Sequence, residues 1–150
     1  MKVTVKPIHP RILPDRDKWR NWYLDERVKI VIEYDNQILT IELPKGYRFD
    51  GHSVPLLFRW LFKRYDEDIV AALVHDVLIE VSPYIRNNRD FKDHVYTHLM
   101  NHPEYFTNRF RATWMPKAVK FNTRIMFFWK QDYRGIPKDT TRLKITLDEI

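Results

Sequence analysis

The segment Glu67–Val81 is the feature that most constrains the fold of this chain. Drawn as an α-helix, it is apolar on nearly every face, and only His75 and Asp76 interrupt its apolar interior. Asp66 is a good N-cap residue for such a helix, and Pro83 would end it. A helix that is apolar all round is stable in water only when it is buried. We therefore predict that this helix lies in the core.

The N-terminal part of the chain carries the pattern of antiparallel strands. Two β-branched runs, Val28–Tyr34 and Gln37–Leu43, flank Asp35 and Asn36, which tolerate left-handed backbone. This arrangement predicts a β-hairpin. Shorter strands are expected in three further segments, Lys2–Pro7, Tyr47–Phe49 and Arg142–Ile150.

The C-terminal part is expected to be mainly helical. Asn87 or Asn88 would cap a helix that runs to about Asn101, and Pro116 would precede a last helix over roughly Lys117–Gln131. Shorter helical stretches are expected around Trp19–Tyr23 and from Pro55 to about Arg64. The pattern predicts an α+β fold with an N-terminal antiparallel hairpin or small sheet. This sheet would pack on a helical half that contains a central antiparallel helix pair.

The composition is that of one folded domain over residues 1–150. Hydrophobic residues make up 44% of the chain and aromatic residues 15%, which is enough for a core without covalent staples. The absence of cysteine excludes disulfides and thiolate metal sites and fits a reducing cytoplasm. Met1–Pro7 has no continuous apolar core, so we expect no secretion signal. The most apolar stretches, Ile69–Leu78 and Ile125–Trp129, are too short to cross a bilayer.

The net charge of +6 is concentrated near the C-terminus. The segment Arg109–Lys144 holds ten basic and two acidic residues. A positive field of this kind attracts phosphate-bearing partners such as nucleic acid or anionic phospholipid. Five aromatic residues are interleaved with these charges: Phe110, Trp114, Phe121, Trp129 and Tyr133. Their spacing favours rings that face the core beside a solvated basic face. Nucleic acid is the less favoured partner, because stacking on bases requires exposed rings.

His75 and Asp76 need partners, because burying an ionisable pair without them costs several kcal/mol. Asp93 is the natural candidate. His75 lies about 9 Å before a helix end near Val81, and Asp93 about 6 Å after a helix start near Arg89. In an antiparallel hairpin the two residues lie at similar heights. A carboxylate there would fix the tautomer of the imidazole and leave its other nitrogen as a base. The alternative is a buried polar network that only fixes how two helices pack.

A second polar block, Asp50–Pro55, follows the predicted third strand. Gly51 permits a close backbone approach, and the carboxylate of Asp50 with a neighbouring carbonyl forms an oxygen-rich corner that suits Ca²⁺. Asp76 could complete that corner from the buried helix. The alternative is an Asx-turn or N-cap at Asp50, a role that Ser53 would serve equally well.

Three blocks in this order carry a family resemblance. They are Asp50–Pro55 (D-G-x-S-x-P), His75–Leu78 (H-D-x-L) and Arg89–Tyr96 (R-x-x-x-D-x-x-aromatic). Over about residues 44–130 the chain resembles an uncharacterised family common in phages and bacteria, domain of unknown function thirteen fifty-three. The resemblance implies a phage protein that acts in the host cytoplasm or the virion.

The same blocks resemble the core of prokaryotic phospholipase A2 enzymes. That resemblance implies that Asp50, the Gly51 backbone and Asp76 hold Ca²⁺, that His75 is the general base, and that Asp93 orients it. Ser53 and Arg89 would support this site. The function expected from it is a metal-assisted hydrolase that acts on an ester-type bond, with a phospholipid or another phosphate-bearing molecule as its partner.

Two hypotheses from other classes stay open. One is a non-enzymatic phage structural or accessory protein that binds other phage proteins through its basic C-terminal segment. The other is a nucleic-acid-binding accessory protein. Three further interpretations have weaker support in the sequence. They are zinc binding by His94, His98 and His102, nucleophilic catalysis by Ser53, and an HD-type phosphohydrolase that uses His52.

Overall fold

The computed structural model describes residues 2–14, 22–49, 69–81, 89–128 and 143–150. The chain forms two compact units. The first unit combines Met1–Asp50 with Thr140–Ile150, and the second is Gly51–Asp139. Antiparallel sheets in the first unit and helices in the second confirm the predicted α+β class. Whether the two units form one domain stays a prediction.

Seven strands are described in the first unit: β1 (Val3–Val5), β2 (Ile12–Pro14), β3 (Trp22–Leu24), β4 (Val28–Tyr34), β5 (Gln37–Leu43), β6 (Arg48–Phe49) and β7 (Lys144–Glu149). They form a four-stranded sheet in the order β1-β4-β5-β7 and a three-stranded sheet in the order β2-β3-β6. Every pairing is antiparallel.

The predicted hairpin is confirmed residue by residue. Asp35 and Asn36 have φ angles of 44° and 63°, as a two-residue turn between twisted strands requires. The register places Ile30 opposite Ile41 on one face of the sheet, and both side chains are fully buried. The predicted strands in Lys2–Pro7 and Arg142–Ile150 are also present, as β1 and β7 at the two edges of this sheet.

The three-stranded sheet corrects one sequence prediction. Trp22 and Tyr23 lie in β3 and pair with Phe49 and Arg48, so the helical turn expected for them is wrong. Aromatic side chains favour extended backbone when they have strand partners, and these partners come from distant parts of the chain. Trp19 and the expected helix from Pro55 lie outside the described residues.

Three helices are described in the second unit: α1 (Ile69–Val81), α2 (Arg89–Met100) and α3 (Arg109–Phe128). Helix α2 packs against both α1 and α3. In α1, ten of its 13 residues are buried. This confirms the prediction that the most apolar helix of the chain lies in a core.

Helix α3 begins eight residues earlier than the sequence predicts. Its start is set by Asn108, whose side-chain Oδ1 accepts a hydrogen bond from the Arg111 amide at 2.8 Å. The backbone carbonyl of Asn108 accepts the first helical bond, from Ala112 at 3.0 Å. Pro116 therefore lies inside the helix instead of at its start. A good N-cap upstream overrides the preference of proline for the first turn.

Candidate functional site

The predicted pair of His75 and Asp93 is brought together between α1 and α2. His75 Nε2 and Asp93 Oδ1 are 3.3 Å apart. Both side chains are nearly inaccessible to solvent, with 2% of His75 and 9% of Asp93 exposed. Asp93 lies on the same side of α2 as Tyr96 and Met100, three and seven residues further along, and both of these are buried. Helix periodicity alone therefore directs the carboxylate into the core.

This contact selects a tautomer of the imidazole when Asp93 is ionised. An ionised carboxylate accepts hydrogen bonds but cannot donate them, so the bond then requires the proton on His75 Nε2. In a neutral ring, Nδ1 is then the nitrogen that can accept a proton. The 3.3 Å separation is slightly long for a charge-assisted bond, and such bonds at catalytic sites shorten when a substrate binds.

A second residue of α2 orients the same ring. The Tyr96 ring meets the imidazole of His75 edge-on, with centroids 5.3 Å apart and planes at 64°. Tyr96 is itself almost completely buried. Two contacts from one helix, one polar and one aromatic, thus fix the position and the plane of the imidazole.

The other carboxylate oxygen of the pair has no hydrogen-bond partner in the part of the chain that the structure describes. Asp93 Oδ2 is buried. The Thr97 hydroxyl is one turn away but donates to the Asp93 backbone carbonyl at 2.8 Å. Leaving a buried acceptor unsatisfied costs about 1–3 kcal/mol. Oδ2 is therefore where a water molecule or another donor would bind most favourably.

The predicted calcium ligands are only partly within the described residues. Asp76 follows His75 on α1 and is half-buried, whereas Asp50, Gly51 and the supporting Ser53 lie outside the described residues. Arg89 is the first residue of α2, and its side chain is not described. Over the described ranges, no three His, Asp or Glu side chains gather in a way that would hold a metal ion. The calcium site stays a prediction.

The histidine row consists of His94 and His98 on α2 and of His102, which lies just beyond the end of that helix. His98 and His102 are neighbours, with ring centroids 6.0 Å apart. Partial burial, followed by the charges of His102 and His94, lowers the pKa of His98 below its usual value. His102 Nδ1 accepts a hydrogen bond from the Glu104 amide at 3.2 Å, which puts the ring proton on Nε2. In a neutral ring that proton occupies the nitrogen left for a metal and works against zinc binding at His102.

Helix α3 corrects a second sequence prediction. Phe110, Trp114 and Phe121 are about half exposed, at 48%, 50% and 53%, so the prediction that these rings face the core is wrong. Three smaller apolar residues on the other side of α3 are buried instead: Ala112, Met115 and Val119. Their spacing of three and four residues was the signal that identifies the true core face. Trp129 and Tyr133 lie outside the described residues.

Comparison with known proteins identifies one family. The sequence model of the family described as "Protein of unknown function (DUF1353)" matches residues 22–119. This match covers more than half of the chain and includes α1 and α2. No curated protein and no solved structure matches the chain. Among the described helices, none is long and apolar enough to cross a membrane.

Proposed function

The chain belongs to the DUF1353 family, and we propose that it is an ester hydrolase whose general base is His75. The observation that carries this proposal is the 3.3 Å contact between His75 Nε2 and Asp93 Oδ1, with His75 on the largely apolar, buried helix α1. A histidine held in one tautomer by a carboxylate is the arrangement that general-base hydrolysis uses.

In the proposed reaction His75 first accepts a proton from water and later donates it to the leaving group. His75 Nδ1 takes a proton from a water molecule as the water oxygen attacks the ester carbonyl. Asp93 holds the other ring proton on Nε2 and stabilises the imidazolium that forms. The imidazolium then returns its Nδ1 proton to the leaving alkoxide when the ester C–O bond breaks, and the neutral ring is restored.

A calcium ion belongs to the same proposal. Asp50, the Gly51 backbone carbonyl and Asp76 would hold it, and Ser53 and Arg89 would support the site by capping the loop and pairing with a carboxylate. When bound, a hard cation polarises an ester carbonyl and stabilises the developing oxyanion. The position of Asp76 next to His75 on α1 supports this assignment. A phospholipid is the proposed ester substrate.

The test is hydrolysis of a short-chain phosphatidylcholine with Ca²⁺ and with a chelator, by wild type and matched variants. We expect His75→Gln to lose activity by on the order of 100-fold or more, and Asp93→Asn to lose somewhat less. His94→Gln is the control, because His94 adjoins Asp93 on α2 but is exposed. Equal activity in wild type and His75→Gln would refute the hydrolase.

The second candidate is a non-enzymatic phage structural or accessory protein. The observation that favours it is the burial of His75, which leaves only 2% of the residue exposed, whereas a base must meet water. In this case the pair organises the core, and the basic C-terminal segment binds other phage proteins. An undetectable hydrolase activity, together with a large stability loss in Asp93→Ala, would favour this candidate. Under both candidates we propose the host cytoplasm or the virion as the location.

A further inference from the structure

Helix α3 carries a row of exposed aromatic rings, which we call the aromatic ridge: Phe110, Trp114 and Phe121. Successive rings are four and seven residues apart, so all three lie on one side of the helix, about 6 and 10 Å from each other along its axis. Phe106, just before the helix, is 42% exposed. Exposed rings grouped in this way usually mark a binding surface.

The charges around the ridge have one sign. Between Arg109 and Phe128 the sequence contains no acidic residue and five basic ones: Arg109, Arg111, Lys117, Lys120 and Arg124. Arg111 is buried and adds no exposed charge, and the side chain of Arg124 lies outside the described residues. Lys117 lies over the face of the Trp114 ring, with its Nζ 4.7 Å from the centroid. Arg109 is exposed at the start of the helix. The surface thus places aromatic rings and positive charge side by side, without a compensating acid on the helix.

We propose that the aromatic ridge docks the protein onto bilayers that contain anionic phospholipids. Aromatic rings on one face and cations beside them are the pattern of a helix that lies in the plane of the membrane interface. There the rings enter the boundary between headgroups and acyl chains, while lysine and arginine meet the phosphates. A cation stacked on the exposed face of an indole suits this depth, where one side is apolar and the other is charged.

The geometry favours a bilayer over nucleic acid. Single-stranded nucleic acid is bound in charged grooves, where bases stack on rings that line the walls. The ridge is instead the convex side of one helix, whose opposite side is buried through Ala112, Met115 and Val119. A convex row of protruding rings fits a soft, extended surface. The proposal does not depend on the hydrolase, because docking requires no chemistry at His75.

The test is cosedimentation of the full chain with vesicles of phosphatidylcholine alone or mixed with phosphatidylglycerol. We expect binding to the mixed vesicles that weakens with added salt, and much weaker binding to phosphatidylcholine alone. A triple variant, Phe110→Gln, Trp114→Gln and Phe121→Gln, should lose more than about tenfold in affinity, because three rings no longer enter the interface. Leu147→Gln is the control, because Leu147 is an exposed apolar residue on β7.

A second measurement keeps the proposal testable if the triple variant does not fold. Brominated lipids should quench part of the tryptophan fluorescence of wild type, and Trp114→Phe should remove that part while keeping the ridge aromatic. Three results would overturn the proposal. They are equal binding of the triple variant and wild type, ridge-dependent retention of single-stranded DNA without vesicle binding, and a dimer in sedimentation that the triple variant abolishes.

Discussion

The helix pair α1–α2 buries a polar pair in its core, whereas one side of helix α3 exposes large aromatic rings. The pair buries a histidine and an aspartate, with 2% and 9% of these residues exposed, among apolar neighbours. Helix α3 leaves about half of each of three large aromatic residues exposed, while it buries alanine, methionine and valine on its other side. Burying polar groups and exposing large apolar rings both cost free energy relative to apolar residues inside and polar residues outside.

The buried pair and the exposed ridge are the two places in the described structure where function is expected. A fold seldom keeps an unfavourable arrangement that serves neither its stability nor its activity, so both places are candidates for function. The buried pair is the candidate for chemistry, because its ring is held by Asp93 and Tyr96. The exposed ridge is the candidate for docking, because its rings stand beside Lys117 on a helix whose sequence contains no acidic residue.

The largest change in the free energy of unfolding is expected when one partner of the buried pair is removed. Asp93→Ala should lower the free energy of unfolding by about 3–5 kcal/mol, because the imidazole N–H is left buried with no acceptor and the shortened side chain leaves a cavity. The double variant His75→Leu and Asp93→Leu should recover most of that loss, since two apolar groups need no partners. Urea unfolding of the single and double variants measures both quantities. A double variant as unstable as Asp93→Ala would show that the two residues do not act as a pair.

A smaller change in the free energy of unfolding is expected to distinguish the buried side of α3 from its exposed side. Met115→Gln should lower the free energy of unfolding by about 2–4 kcal/mol, because Met115 is fully buried and glutamine would bring an amide into that site. Trp114→Gln, on the exposed side of the same helix, should change it by less than about 0.5 kcal/mol. Thermal unfolding of both variants compares them directly. Similar losses in the two would mean that the Trp114 ring is covered.

The smallest effect concerns the histidine row beside the buried pair. The pKa of His98 is lower in the folded chain than its usual value, so the unfolded chain binds more protons as the pH falls through about 6.5. Wild type should therefore lose stability relative to His98→Gln as the pH falls through that value towards the lowered pKa. Melting temperatures of both proteins from pH 7.5 to about 5 test this. A difference that does not change with pH would contradict it.

The sequence predicts the parts of this fold that local rules determine. The hairpin follows from two β-branched runs around Asp35 and Asn36, and the buried α1 follows from its composition. The pairing of His75 with Asp93 was predicted from helix rise and from the need of a buried imidazole for a partner. These inferences need only neighbours in sequence or one helix connection.

The sequence predictions that are wrong concern segments where two structures compete and where local sequence rules do not decide between them. Trp22 and Tyr23 form a strand because distant Arg48 and Phe49 pair with them. Helix α3 starts at Arg109 because Asn108 caps it, although Pro116 also suggests a start. Once that start moves, the choice of core face depends on the stripe of Ala112, Met115 and Val119 and not on the larger rings.

The most direct test of the account is the protonation of the His75 ring, observed by nitrogen-15 NMR in folded wild type and in Asp93→Asn. We predict a ring with its proton on Nε2 and a bare Nδ1, and a weaker or altered Nε2–H signal when the carboxylate is replaced. A proton on Nδ1 beside a bare Nε2, or a ring signal that is the same in both proteins, would contradict the bond between His75 and Asp93. The proposed base would then be lost with it.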